Sequence, residues 1–394
     1  MDDDRRAGPP SGQAPWAVQD ADWVAALLDR SRFLMMTAQF DEVLDLTAEG
    51  ARRALRDGRA GAWRELTTTH GTALTNLGRF DEAIRVCDEV VESARRDDDP
   101  EAMAGSWNVS VVAADRLQRD DDAMRRLDAS LAVGEQFLRD GSRRDVLFRA
   151  ACSAGAIGLV ELGDRLLTRI LDETEPSAAG RPSPGFLLWA RNNQVSARTW
   201  WAVLLEHEGR IAAAEKYAGV VELCRGIVAS VPDPRMLPPQ PLAVYRAHEG
   251  HALTALGRHD EAEEALEVAR RVLPAEPFTM MLGVVELLCG LSTLRGRPPA
   301  DPAERAALAQ RLVDLARRCH DRRLEAQVWR LDAWSSYARG DAVRAAMAEE
   351  QYEDLTERLD WRRRLRQAAL LGLRSQVLRR VADGGDWLPP RDGR

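Results

Sequence analysis

The feature that most constrains the fold is a segment that occurs twice. Residues 71–83 read GTALTNLGRFDEA and residues 250–262 read GHALTALGRHDEA, so the two copies differ at only three positions although they lie in opposite halves of the chain. Together with Gly78 and Gly257, weaker copies of the same turn centre on Ala38, Gln118, Gly163, Gly209, Gly296 and Gly340. A chain that repeats at this period is expected to stack similar units into an elongated array.

Each copy has the residue pattern of a helical hairpin. Gly78 follows a helical run and suits the left-handed conformation that ends a helix, and Asp81 and Glu82 suit the start of the next helix, the aspartate as its cap. The small residues Ala83 and Ala262 let the two helices approach closely. One hairpin cannot bury its own apolar face, so neighbours must pack together. The chain shows no sustained alternation of apolar and polar residues, so we predict an all-α fold.

The pattern resembles the tetratricopeptide repeat (TPR), in which each unit has a large residue, a small residue four positions later and another small residue twelve positions after that. Trp329, Ala333 and Ala345 fit these slots in the last unit, and Trp107 and Ala123 fit the first and third slots of the third unit. The units here are longer than the 34 residues of a TPR. In this they resemble the TPR-like arrays of bacterial regulators.

The resemblance implies a TPR-like α-solenoid of about eight helical hairpins over residues 18–353. Residues 354–382 are rich in arginine and carry Leu and Val at helical spacing, which predicts a C-terminal helix that caps the last hairpin. Residues 1–17 and 383–394 lack apolar periodicity and are predicted to be disordered tails. Proline-rich segments flank the fifth hairpin, where a hinge is the alternative to a continuous solenoid.

Composition excludes several classes of function. A formal net charge of -8 argues against a nucleic-acid binder. No stretch approaches the roughly 18 consecutive apolar residues of a membrane span, and the acidic N-terminus is unlike a secretory signal, so we expect a cytoplasmic protein without a membrane partner. The 5 cysteines are widely spaced without a Cys-x-x-Cys pair, which is typical of small buried side chains in a reducing compartment.

No sequence motif indicates catalysis, a metal or a cofactor. His248 and His251 flank Glu249, but a zinc-binding helix has its two histidines four residues apart. The acidic runs at 97–99 and 120–122 fall at predicted turns, where helix capping is favoured over metal binding. Phosphate-binding, nucleophile-elbow and dinucleotide signatures are missing. We therefore predict a protein that is not an enzyme and that needs no cofactor or metal.

The predicted binding face consists of polar and aromatic side chains on the first helix of each hairpin, which faces the concave groove in TPR proteins. The resemblance places seven residues there: Asn76, Asn108, Arg116, His251, Arg330, Trp334 and Tyr337. Amides can pair with a peptide backbone, arginine with a carboxylate, and aromatic rings supply apolar contact area, so the set suits an extended peptide. An ordinary solvated inner face is the alternative.

The predicted function is therefore the binding of a protein segment or peptide in the groove. The alternative is a regulatory or sensor input protein of a bacterial signalling or transcriptional system, responding to a peptide or small ligand. On the C-terminal helix, the cluster Arg362, Arg363 and Arg364 favours an acidic partner. That partner is either an output protein or a second copy of the chain in a homo-oligomer, and a solvated basic face is the alternative.

Overall fold

The computed structural model describes residues 23–36, 39–138, 140–174, 184–231, 239–272, 280–319 and 322–357. These residues form sixteen α-helices, and none of them belongs to a strand. The helices are α1 Trp23–Met36, α2 Phe40–Arg56, α3 Ala60–Asn76, α4 Phe80–Arg96, α5 Pro100–Arg116, α6 Asp120–Gln136, α7 Asp140–Ala156, α8 Val160–Thr174, α9 Pro184–His207, α10 Ala212–Ala229, α11 Pro239–Ala255, α12 His259–Val272, α13 Met280–Gly296, α14 Pro302–Arg318, α15 Arg322–Ala338 and α16 at 342–357. The predicted all-α array of eight hairpins is confirmed.

Helices α2 to α7 are strictly regular. Helices α2 to α7 begin at residues 40, 60, 80, 100, 120 and 140, each has 17 residues, and the turns that follow α2 to α5 contain three. The middle residue of a turn has a positive φ, as at Gly78 (76°) and Gly158 (91°). Around Gly78, Arg79 N donates to Leu74 O at 2.9 Å and Gly78 N to Thr75 O at 3.2 Å, the hydrogen bonds of a Schellman motif.

Several details of the predicted turns are wrong. Gly296 is the last residue of α13, and the acidic run 120–122 lies inside α6 instead of capping it. The turn predicted at Gly163 lies at Gly158, because Gly163 is inside α8, where a Cβ atom would come within 3.0 Å of the Ala151 carbonyl oxygen. Asp81 does not cap α4, since it lies one residue inside the helix. Its carboxylate instead accepts a hydrogen bond from Arg119 of the next hairpin at 2.8 Å.

Two layers of helices build the array, and the odd-numbered layer is the inner one. Every odd-numbered helix packs against the next odd-numbered helix from α1 to α15, whereas no comparable packing joins consecutive even-numbered helices among the described helices α2 to α14. In a curved double layer the helices on the concave side are the crowded ones. The odd-numbered helices therefore form the concave side, called the inner wall below, as predicted for the first helix of each hairpin.

The residues that carry the TPR resemblance are buried. Trp107 and Trp329 are both 6% exposed. Gly71 and Gly250 are buried at points where the two helices of a hairpin cross, and a Cβ atom at Gly250 would lie 2.5 Å from Leu266 Cγ. The shared motif thus supplies the close helix contact that the sequence predicts.

The ends of the chain extend beyond the described residues. Helix α16 continues through the predicted boundary at residue 354 as far as residue 357. The predicted tails, 1–17 and 383–394, and the rest of the predicted C-terminal helix fall outside the described ranges. None of the described helices combines the length and the apolar character that a membrane crossing requires.

Candidate functional site

The three predicted site residues of the N-terminal half lie on α3 and α5. Asn76 is the last residue of α3, and its amide donates to a carbonyl one turn back in the same helix at 2.9 Å. Asn108 is 3% exposed, and its Nδ2 lies 3.4 Å from Val146 O on α7. Arg116 ends α5, and its Nη1 is 3.9 Å from Asp115 Oδ2. Asn76 and Arg116 are partly open, whereas Asn108 joins two inner helices instead of facing an open groove.

His251 is also more enclosed than the sequence predicts. Its ring is 0% exposed, lies edge-on to Tyr217 with 6.2 Å between ring centroids, and has Nδ1 3.5 Å from Ser292 Oγ on α13. Burial, together with the positive charge of Arg295, lowers the pKa of His251 to about 4, so the ring is neutral at neutral pH. Curvature of the inner wall covers this part of α11, a property that the local sequence does not reveal.

The residues next to His251 all have protein partners. His248 Nδ1 lies 2.9 Å from Thr199 Oγ1, and burial lowers the pKa of this histidine to about 3. Glu249 accepts hydrogen bonds from Arg225 at 2.7 Å and from Arg246 at 2.6 Å. Within the described ranges, no group of three or more His, Cys, Asp or Glu residues could hold a metal ion. These side chains therefore stabilise the packing of α11.

The cysteines have protonated thiols in the packed interior. Cys87, Cys224 and Cys289 are buried and none of them is in a disulfide. Burial raises the pKa of Cys87 to about 12 and that of Cys289 to about 11. A nucleophilic cysteine requires a thiolate, so these thiols are poor nucleophiles and behave as small apolar side chains.

The three predicted residues of α15 lie along one face of that helix, and two of them, Arg330 and Trp334, are in contact. The Arg330 guanidinium carbon lies 4.2 Å from the centroid of the Trp334 ring. Trp334 is 47% exposed and Tyr337 is 51% exposed, and the Tyr337 hydroxyl donates to Glu349 at 2.6 Å. Because large aromatic side chains are mostly buried in folded proteins, two half-exposed rings on an inner helix mark this face as a candidate contact surface.

A buried polar cluster joins this face to three other helices. Arg295 of α13 donates from both terminal nitrogens to Glu206 of α9, at 3.0 and 2.5 Å, and the Tyr217 hydroxyl of α10 donates to Glu206 at 2.8 Å. Arg330 Nη1 lies 3.8 Å from Glu206 Oε2. We call these four residues the Glu206 cluster. Burial opposes ionisation of Glu206, but the hydrogen bonds and charge of Arg295 outweigh it and keep the pKa below the ordinary value of 4.5.

Arg295 is a site residue that the sequence analysis missed. It is one of two charged residues in helix α13, together with Glu286, and most of the other residues of that helix are apolar. An isolated charge near the end of such a helix is a signal that could have been used, since a buried charge requires a partner. The partner itself could not be foreseen from local spacing, because Glu206 lies 89 residues away.

The inner wall closes on itself in the C-terminal half. Arg323 Nη1, at the start of α15, donates to Gly155 O near the end of α7 at 2.8 Å. Together with the Glu206 cluster, this contact brings the eighth hairpin against the fourth and the fifth.

The predicted site residues form two separate groups. Arg330, Trp334 and His251 are linked through the Glu206 cluster, whereas none of the described contacts connects them with the residues on α3 and α5. Arg362, Arg363 and Arg364 lie outside the described residues, so their predicted role in docking an acidic partner stays a prediction.

Comparison with known proteins supports the fold. No protein-family model and no curated protein matches the chain. Among solved structures, a Rap protein complexed with Competence and Sporulation Factor aligns with a TM-score of 0.51 and 12% identity, covering 86% of this chain and 99% of that chain. NprR in complex with its cognate peptide NprX aligns with a TM-score of 0.45 and 12% identity, covering 84% and 88%. The chain has the fold of a TPR-like helical repeat protein.

Proposed function

We propose that the chain is a regulatory binding protein, not an enzyme, that holds a peptide or protein segment against its inner wall. The observation that carries this proposal is the half-exposed pair Trp334 and Tyr337 beside Arg330. Aromatic rings provide large contact areas at a small cost in conformational entropy, and they are enriched with arginine at the energetic centres of interfaces. The structural likeness to the Rap protein supports the same type of function through the fold alone.

Asn76 and Arg116 extend the proposed binding path toward the N-terminal half. Both end inner helices and keep part of their side chains exposed. An asparagine amide can pair with a peptide backbone, and an arginine can bind a carboxylate. Asn108 and His251 support this surface from within, because both are buried between neighbouring inner helices.

A sensor role is the second candidate, and the closure of the inner wall favours it. Arg323 and Arg330 connect α15 with α7 and α9. A ligand that enters the interior competes with these contacts, so binding would change how tightly the array is curled. Such coupling would let a peptide or small ligand alter the outer surface that an output protein recognises.

The sequence supports action in the cytoplasm, without nucleic acid, membrane, metal or cofactor. The partner is a protein or peptide, and a second copy of the chain in a homo-oligomer is the alternative. Arg362, Arg363 and Arg364 are proposed to dock an acidic surface of that partner.

A double variant tests the proposed binding surface. Trp334→Ala combined with Tyr337→Ala should reduce recovery of a partner by about tenfold or more, because aromatic residues at the centre of an interface contribute about 2 kcal/mol or more. The full chain is used as bait in the native host, and recovered proteins and peptides are quantified by mass spectrometry. The melting temperature should change little, since both side chains are half-exposed.

Ile211→Ala is the matched control. Ile211 is 95% exposed immediately before the outer helix α10, so Ile211→Ala removes exposed apolar surface away from the inner wall. We expect this control to recover the same partners as the unaltered chain. Equal recovery by the double variant would place the binding surface elsewhere.

A further inference from the structure

The Glu206 cluster contains more positive than negative charge. Arg295 and Arg330 face a single carboxylate, and the shortest hydrogen bonds of that carboxylate come from Arg295 and Tyr217. Within the described part of the chain, Glu206 is the acidic group that contacts Arg330, at 3.8 Å, which is too long for a hydrogen bond. One positive charge therefore remains without an equivalent negative charge in a largely buried position.

One buried donor of Arg330 is unused. Its side chain is 9% exposed, and Nη1 is buried without a hydrogen-bond acceptor among the described residues. Leaving a buried charged donor without an acceptor is unfavourable, because the group has lost its hydration and gained nothing in return. Such a group is suited to receive an acceptor from a ligand.

The orientation of Arg330 is fixed by its neighbour. The guanidinium stacks on Trp334, whose ring is 47% exposed, so the stacked pair borders the solvent. Stacking holds the planar group in place while leaving its edge available for hydrogen bonds. A ligand group that enters beside Trp334 meets the edge of the guanidinium, and the rest of the ligand can lie on Trp334 and Tyr337.

The charge balance also selects the ligand chemistry. We propose that Arg330 binds a single carboxylate of the peptide, from its C-terminus or from an acidic side chain, which deepens the peptide-binding function proposed above and rests on it. A carboxylate matches the fork of a guanidinium and neutralises one charge. A doubly charged phosphate would be repelled by the ionised Glu206, which lies next to the site.

Three matched peptide pools test this inference. All are synthetic hexapeptides of randomised sequence: one lacks Asp and Glu and has free C-terminal carboxylates, one lacks Asp and Glu and is amidated, and one is amidated with a single Asp. Retention on the immobilised full chain at low ionic strength is quantified by mass spectrometry. At least one carboxylate-bearing pool should be retained about tenfold more than the amidated pool that lacks Asp and Glu. The pool that is retained more strongly identifies whether the carboxylate comes from the C-terminus or from a side chain.

Two variants test whether Arg330 causes the preference for carboxylate-bearing peptides. Arg330→Gln should remove the preference, and Arg311→Gln, at an exposed arginine of the outer helix α14, should preserve it. If the melting temperature of Arg330→Gln is far below that of the unaltered chain, Arg330→Lys is used in its place. Arg330→Lys should reduce the preference for carboxylate-bearing peptides, because lysine keeps the positive charge but lacks the forked guanidinium.

The possible failures can be told apart. Equal retention of all three pools by the unaltered chain would reject the carboxylate site and leave peptide binding standing. Retention of no pool above a blank support would reject the proposed function and the inference with it. A full carboxylate preference in both Arg330 variants would show that another cation binds the carboxylate.

Discussion

Replacing Gly250 with leucine is expected to destabilise the protein by more than about 2 kcal/mol, because the new side chain has no space at the crossing of α11 and α12. Even a single Cβ atom there would lie 2.5 Å from Leu266 Cγ and 3.2 Å from the Ala262 carbonyl oxygen. Leu266 is 2% exposed, so it cannot move aside without disturbing the core. The decrease in the free energy of unfolding is measured as a shift of the urea unfolding midpoint to lower urea concentration.

Gly226→Ala is the control for this substitution. Gly226 is an exposed residue inside α10, and a Cβ atom there would have no neighbour within 4 Å. Alanine at such a position should stabilise the helix by about 0.5–1 kcal/mol. A Gly250→Leu variant as stable as the unaltered chain would contradict the helix crossing described for this hairpin.

Arg295→Met should lower the free energy of unfolding by about 3 kcal/mol at neutral pH, because it leaves the ionised Glu206 in a mostly buried position without its main partner. The pKa of Glu206 in the folded chain is lowered from 4.5. A carboxylate with a lowered pKa adds stability above its unfolded value and loses it as the pH falls through the folded value. The difference in the free energy of unfolding between the variant and the unaltered chain should therefore become smaller below about pH 4.5.

Arg297→Met provides the comparison for Arg295→Met. Arg297 pairs with Asp260 at 3.0 Å, but the two side chains are 66% and 96% exposed. An exposed ion pair contributes about 0–1 kcal/mol, so this control should change the urea midpoint little. An Arg295→Met variant that loses the same stability at about pH 4 as at neutral pH would show that the charge of Glu206 is not the cause.

The sequence predicts the parts of this fold that depend on neighbouring residues. The two copies of the repeated segment form the same structure: Gly78 and Gly257 have φ angles of 76° and 74°, and an arginine at the next position pairs with the glutamate three residues later in both. Helix crossings, turns and the identity of the inner layer follow from such local rules. The turn misplaced at Gly163 shows the limit, because the nearby Gly158 carries the required conformation.

The exposure of the site residues could not be predicted in the same way. Whether Asn108 or His251 faces solvent depends on how far the inner wall curves, and the curvature accumulates from many helix contacts along the array. Asn108 lies on α5 and His251 on α11, both inner helices, yet both side chains are buried. The TPR resemblance predicts Arg330, Trp334 and Tyr337 as inner-face residues of the last unit, and their spacing puts them on one face of α15.

The contact between Arg323 and Gly155 has a consequence for the order in which the chain folds. Most packing in the array joins helices that are adjacent or next-adjacent in sequence, so hairpins can add one after another as the chain is synthesised. Arg323 and Gly155 are 168 residues apart. Their hydrogen bond cannot form until α15 has left the ribosome and the intervening hairpins have stacked. Closure of the inner wall is thus a late event in biogenesis, and a nascent chain presents the interior in a more open form than the finished protein does.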